Sequence, residues 1–261
     1  MLIVAIKLFA TPLLIWSVTL AGRRWGSSVS GLLIGLPLIT GPISFILTSE
    51  FGTTFGARVA SGNLAGEISI CSFCLIYYHV SKHANWFKSV SSALIGFVLT
   101  TYLLHFFEWT PIPAFLALTA AIALSAKFMP QRITAKLPAS PPAWDLPLRM
   151  FVAIIFVIAI TSISDVLGPQ LSGLISTFPI FATVFTVFTQ RQQGPAAAGN
   201  LLRGIVLSAA SYAIFFMMIG LGLPKLGISL TYFLAVLFAL CASFFFHALG
   251  LSSTSPPGTV P

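Results

Sequence analysis

The sequence predicts an all-α polytopic membrane protein of about nine transmembrane helices, arranged as four, one and four with the two fours inverted. Three observations lead there. Of the 261 residues, 57% are hydrophobic and 7% charged, and the mean hydropathy is +1.00. A soluble chain carries about 25% charged residues, so this one cannot cover its own surface in water. The basic residues are distributed unevenly between alternate loops, and two long apolar segments repeat each other.

A spanning helix needs roughly 17 to 25 mostly apolar residues. On that rule helices are expected near 2–21, 29–49, 57–80, 85–107, 112–128, 148–167, 171–190, 196–221 and 226–249. The first has Lys7 inside its apolar core and Arg23 and Arg24 behind it. A secretory signal puts its charges first, so this segment reads as a retained span. The stretch "PQRITAKLPASPPAWDLPLR" is proline-rich and polar, hence a connector. The tail "LSSTSPPGTVP" lacks the apolar content to fold and is expected to be disordered.

With nine spans, ten basic residues fall on one side: Arg23, Arg24, Lys82, Lys88, Lys127, Arg132, Lys136, Arg149, Arg191 and Arg203. Three fall on the other, Lys7, Arg58 and Lys225. Under the positive-inside rule this asymmetry puts the N-terminus outside and the C-terminus in the cytoplasm of a cell inner membrane. It also explains the net charge of +8 without nucleic acid as a partner.

The repeat is visible in "SGLLIGLPLITGPISFILTSEFG", residues 30–52, and "SGLISTFPIFATVFTVFTQRQQG", residues 172–194. Ser30 matches Ser172, Pro37 matches Pro179, and a glycine closes each segment. Further on, "ASGNLAGEISI" from Ala60 matches "AAGNLLRGIVL" from Ala197, pairing Asn63 with Asn200. The expected organisation is a first repeat at 1–110, an odd fifth helix at 111–128, and a cytoplasmic linker at 129–147. A second repeat at 148–250 and the tail at 251–261 complete it. An odd number of spans separates the copies, so they lie upside down relative to each other, as in many secondary transporters. Proline in a helix interior removes a backbone hydrogen bond. Matched breaks at Pro37 and Pro179 therefore point to a central binding site.

The second half, from "LSGLISTFPIF" to "LCASFFF", resembles the small four-helix GlpM membrane-protein family. The matching positions are Gly173, Leu174, Phe178, Pro179 and Pro224, and Leu36–Pro37 stands in the first half where Phe178–Pro179 stands in the second. The resemblance implies a membrane protein built as a fused duplicate. It implies no substrate.

Residues able to carry chemistry are few. Glu50, Glu108, Asp145 and Asp165 fall at expected helix ends or in loops, whereas Glu67 lies deep in its span. Arg203 is its near counterpart in the matching helix, and charges at such depth usually face protein or a wet cavity. Glu67 and Arg203 are expected to meet near the pseudo-twofold axis. With Asn63, Asn200, Pro37 and Pro179 they form the expected substrate site. "CSFC" at Cys71–Cys74 reads as small apolar residues on a helix. His79 and His83 share a helix face but lack an acidic partner, so no metal or other cofactor is expected. "GLLIG" and "GNLAG" allow close helix contact, within the chain or in a homodimer. No catalytic constellation stands out, so an enzyme is not expected. Two functions remain: a carrier for a small polar or anionic solute, with proton coupling through Glu67, or a non-transporting scaffold for envelope or polysaccharide assembly. The lack of large soluble loops favours the carrier.

Overall fold

The structure, a computed structural model, describes residues 15–21, 40–129 and 178–248, with isolated positions among 12–37 and 144–155. Most of the expected spans 2–21 and 148–167, the linker and the tail lie outside the described residues. The described residues contain helices and no strand. The helices are α1 (Thr40–Phe51), α2 (Thr53–Ser81), α3 (Trp86–Leu104), α4 (Pro111–Phe128), α5 (Ile180–Leu226) and α6 (Ile228–Ala248). Four of them, α2 to α5, are long and apolar enough to cross a membrane.

Two glycines set the chain's course. Gly52 (φ 87°, ψ 170°) separates α1 from α2. Gly194 (φ 86°, ψ 175°) breaks the 47-residue α5 into a first arm, 180–193, and a second arm, 195–226. This backbone region is essentially closed to side-chain-bearing residues, and Gly52 and Gly194 are the glycines that close the two aligned segments 30–52 and 172–194. Pro195 follows Gly194 at the first position of a new helix, where its missing N–H is not needed.

The matched prolines also take one role. Each carbonyl accepts the amide four residues on: Gly41 to Pro37 at 3.0 Å, Thr183 to Pro179 at 2.8 Å. Pro179 is the residue before α5, and Pro37 is itself non-helical. Within the expected helix 171–190, residues 171–177 lie outside the described residues, Phe178 and Pro179 are non-helical, and the described helix begins at Ile180. A proline in its interior would clash with the preceding turn, whereas at a helix start it does not.

α2 and the second arm of α5 form the central antiparallel pair. Ala60 approaches Gly220, and the Tyr78 ring packs on Gly199, so the α5 partner number falls as the α2 number climbs. The α2 residues Ala60, Leu64, Glu67, Cys71, Cys74 and Tyr78 are all buried, at alternating spacings of four and three. That 3.5-residue period is the seam of two supercoiled helices. α3 and α4 pack on α2, and α6 packs on α5. Their outer faces expose Ile95, Val98, Leu99, Leu116, Leu124, Phe233 and Leu237, the surface a bilayer would cover.

α1 and the first arm of α5 run toward opposite ends of this pair. α1 descends beside the start of α2, where Thr48 lies against Gly56. The first arm ends beside the other end of α2, where Gln190 Oε1 accepts a 2.7 Å hydrogen bond from Tyr77 and Gln190 Nε2 donates to the Ala84 carbonyl at 3.3 Å. Lys82, Lys88 and Arg191 share that end, and Lys127 adjoins the Arg203 anchor near it; the opposite end carries Glu50, Arg58, Glu108 and Lys225.

Gly52→Ala and Gly194→Ala are each expected to lower unfolding stability by about 1–3 kcal/mol through backbone strain alone, since nothing lies within 4 Å of either glycine's missing Cβ. Gly62→Ala, exposed within α2, is expected to be neutral or stabilising by up to ~1 kcal/mol. Thermal unfolding in detergent compares the three.

Candidate functional site

Two apolar clusters fill the interior, one toward each end. The first joins Phe73, Cys74, Tyr77, Phe97, Phe185 and Leu202; the second joins Ala60, Leu64, Leu118, Phe216, Ile219 and Tyr232. Between them the seam turns polar. On α2 this level carries Glu67 and Ser69; on α5 it carries Ser208, Ser211 and Tyr212. All five are buried.

Glu67 is the centre of this waist, 7% exposed. Tyr212, Cys71 and Cys74 lie within electrostatic reach of its carboxylate. Thr40, the first residue of α1, faces the Tyr212 phenol, and the Phe215 ring packs on Gly41. The start of α1 therefore sits at the waist. The first arm of α5 starts at a similar level: Phe178 stacks edge-on against Phe97, midway along α3, at 5.7 Å. Ten residues separate Ile180 from Gln190 beside Tyr77, about 15 Å at 1.5 Å per residue. The same rise separates Tyr77 from Glu67.

Helix starts present unsatisfied amides and the positive end of the helix dipole. The start of α1 lies at this waist, and that of the first arm of α5 lies beside Phe97, about 6 Å along α3 from Thr101, which bonds Ser69. In the first arm of α5, the hydroxyls of Thr183 and Thr186 are buried without a hydrogen-bond partner. A threonine within a helix can bond back to the preceding turn; these two do not. Thr19, Thr40, Tyr78 and Thr231 also bury an unpartnered hydroxyl, while several other polar side chains tie helices together. Ser44 and Thr48 both reach Tyr232 Oη at 2.8 Å, Thr101 donates to Ser69 at 2.8 Å, and Ser211 meets Ser243 at 3.1 Å.

The expected meeting of Glu67 and Arg203 does not occur. Arg203 Nη1 donates to the Ala126 carbonyl at 3.3 Å and to that of Met129. It thereby caps the C-terminus of α4, where carbonyls lack helical partners and a cation is favoured. Glu67 instead sits opposite Tyr212, nine residues beyond Arg203, which is about 13 Å along the axis. Because α2 and the second arm of α5 run antiparallel, positions aligned in sequence share a depth only near the midpoint, and Arg203 lies about a quarter of the way along its arm. The asparagines separate for the same reason. Asn63 is buried one turn before Glu67, whereas Asn200 follows Gly199 at the Tyr78 level, about 22 Å away along the axis. Of the expected site residues, the structure brings Glu67, Pro37 and Pro179 toward the waist, leaves Asn63 a turn away, and places Arg203 and Asn200 toward the basic end.

Sequence reasoning overlooked Tyr212, Thr40, Thr183 and Thr186. "SAASY", residues 208–212, was the available signal: three polar side chains inside a long apolar run. Among the described residues, no group of His, Cys, Asp and Glu could hold a metal ion. Comparison with family models, with curated protein sequences and with solved structures gives no match. The likeness to the GlpM family therefore rests on its sequence motif alone.

A double-mutant cycle separates capping from pairing. Arg203→Ala is expected to destabilise by about 1–3 kcal/mol, because two carbonyls lose their donor. Glu67→Gln keeps the shape and removes no ion partner among the described residues, so the coupling between the two substitutions should stay within about 0.5 kcal/mol. A coupling above roughly 1 kcal/mol would show that they interact.

Proposed function

We propose that the protein is a membrane carrier for a small polar or anionic solute, built as an inverted-topology repeat that exposes the waist alternately to the two sides. The single observation behind this reading is the pair of half-helices. α1 and the first arm of α5 both begin inside the protein behind a proline and run to opposite ends. Discontinuous helices at matched positions of two inverted halves recur in secondary transporters, with the solute held at their free ends.

The chemistry of the waist supports that role. Two positive helix ends favour an anionic group, and the unpartnered Thr183 and Thr186 hydroxyls offer further hydrogen bonds. Glu67 is the negative group already there. Charged, it occupies the field of the helix ends; protonated, it leaves that field to the solute. The anionic solute and a proton would then move together, and Tyr212 and Thr40 would close the site around them. Gly52 and Gly194 are the joints at which each half-helix meets the long helix after it. The basic end would face the cytoplasm under the positive-inside rule.

A test that needs no knowledge of the solute is accessibility of the waist. With Cys71, Cys74 and Cys241 replaced by serine, Thr40→Cys in sealed vesicles should react with a membrane-impermeant thiol reagent applied from either face. Reaction from one face only, or from neither, would contradict alternating access and favour a packed scaffold.

A further inference from the structure

The basic end holds a depression of about 430 Å³ that lies apart from the waist, lined by Lys82, His83, Asn85, Trp86, Gln190 and Arg191. It forms because the α2–α3 turn and the end of the first arm of α5 meet without filling the space between them. Gln190 fixes their separation through Tyr77 and the Ala84 carbonyl. The walls are aromatic and cationic: Lys82 Nζ lies 4.2 Å from the Tyr78 ring centroid, and the Arg191 guanidinium lies 5.4 Å from that of Trp86.

Among the described residues, no lining residue is acidic. The described carboxylates lie elsewhere, Glu67 at the waist and Glu50 and Glu108 at the far end. Among the described residues, Lys82 and Arg191 have no carboxylate partner. Two helix starts add to the positive field. α3 begins at Trp86, with the Asn85 side chain accepting the Lys88 amide at 3.0 Å. The second arm of α5 begins at Pro195, which also lines the depression.

We propose that this depression binds a phosphate group, either that of an anionic lipid headgroup or a free phosphate. Basic pockets between membrane helices are suited to such groups, and the Arg fork and Lys ammonium contribute complementary contacts. The setting also suits a lipid. Trp86 and Phe87 are exposed beside the pocket, and the outer face of α3 continues through Ile95, Val98, Leu99 and Tyr102, along which an acyl chain could lie. Trp at this level is typical of a membrane–water border.

The test uses the purified full chain in zwitterionic detergent, with the unfolding midpoint as readout. Short-chain phosphatidylglycerol and inorganic phosphate are titrated separately, with phosphatidylcholine as the neutral control. The expected result is a rise in midpoint with phosphatidylglycerol and none with phosphatidylcholine. A matching rise with inorganic phosphate identifies the phosphate alone as sufficient; a response to the lipid only identifies the headgroup with its chain. The double variant Lys82→Gln/Arg191→Gln should need about tenfold more ligand or worse. Arg58→Gln/Lys225→Gln, an equal charge change at the other end, should respond as the wild type does. The proposal is overturned if neither ligand raises the midpoint, if the Lys82/Arg191 variant responds as the wild type does, or if the two double variants weaken alike.

Discussion

A backbone amide or carbonyl inside a bilayer must find its partner within the protein, and most of this structure follows from that constraint. An unsatisfied group in hydrocarbon costs several kcal/mol, which is why spanning chains run as unbroken helices. Here the chain breaks at Gly52 and Gly194, and new helices start behind Pro37 and Pro179. The glycine breaks fall at the two ends of the helix pair, within reach of water. The proline starts fall inside, wrapped by α2, α3, the second arm of α5 and the rings of Phe97, Phe178 and Phe215. Among the described residues, breaks of these two kinds place the free amides of the helix starts at the ends and inside the protein.

The waist is where the seam between α2 and α5 departs from simple packing. Apolar residues occupy most of its positions, but Glu67 stands in one of them, without an ion partner among the described residues. An isolated carboxylate in such a place is costly when charged. The neighbourhood of Tyr212 and the positive end of α1 partly offsets that cost. Arg203 is withheld from it by its bonds to the end of α4. A fold selected for stability alone would place an apolar residue in the Glu67 position, which turns attention to what the carboxylate does. The two unpartnered threonine hydroxyls at the start of α5 raise the same question.

Much of the fold was legible in the sequence because hydropathy, glycine and proline act locally. α2, α3, α4 and α6 start and stop within a few residues of their expected limits, since apolar length and the turns at Lys82–Asn85 and Phe107–Thr110 decide them. The merged α5 was not legible. "QRQQG" reads as a loop by polarity, yet Gln190 is held by Tyr77 and Ala84, so the helix continues to Gln193. At the site, the depth of Glu67 and the special place of Pro179 could be read from spacing. The Glu67–Arg203 pairing could not be judged, because which residues of two antiparallel helices meet depends on where each helix begins. Gly52 and Gly194 fix those starts through a backbone geometry that sequence matching at Asn63 and Asn200 does not reveal.

The opposed course of α1 and the first arm of α5 is most directly tested by a distance. Spin labels at Phe51→Cys and Gln193→Cys, in a background without native cysteines, mark the outer ends of the two half-helices. If both start at the waist and run to opposite ends, 12 residues in one and a similar length in the other, pulsed electron resonance should give a separation of about 40 Å. A distribution centred below roughly 25 Å would place both ends on one side and contradict the account.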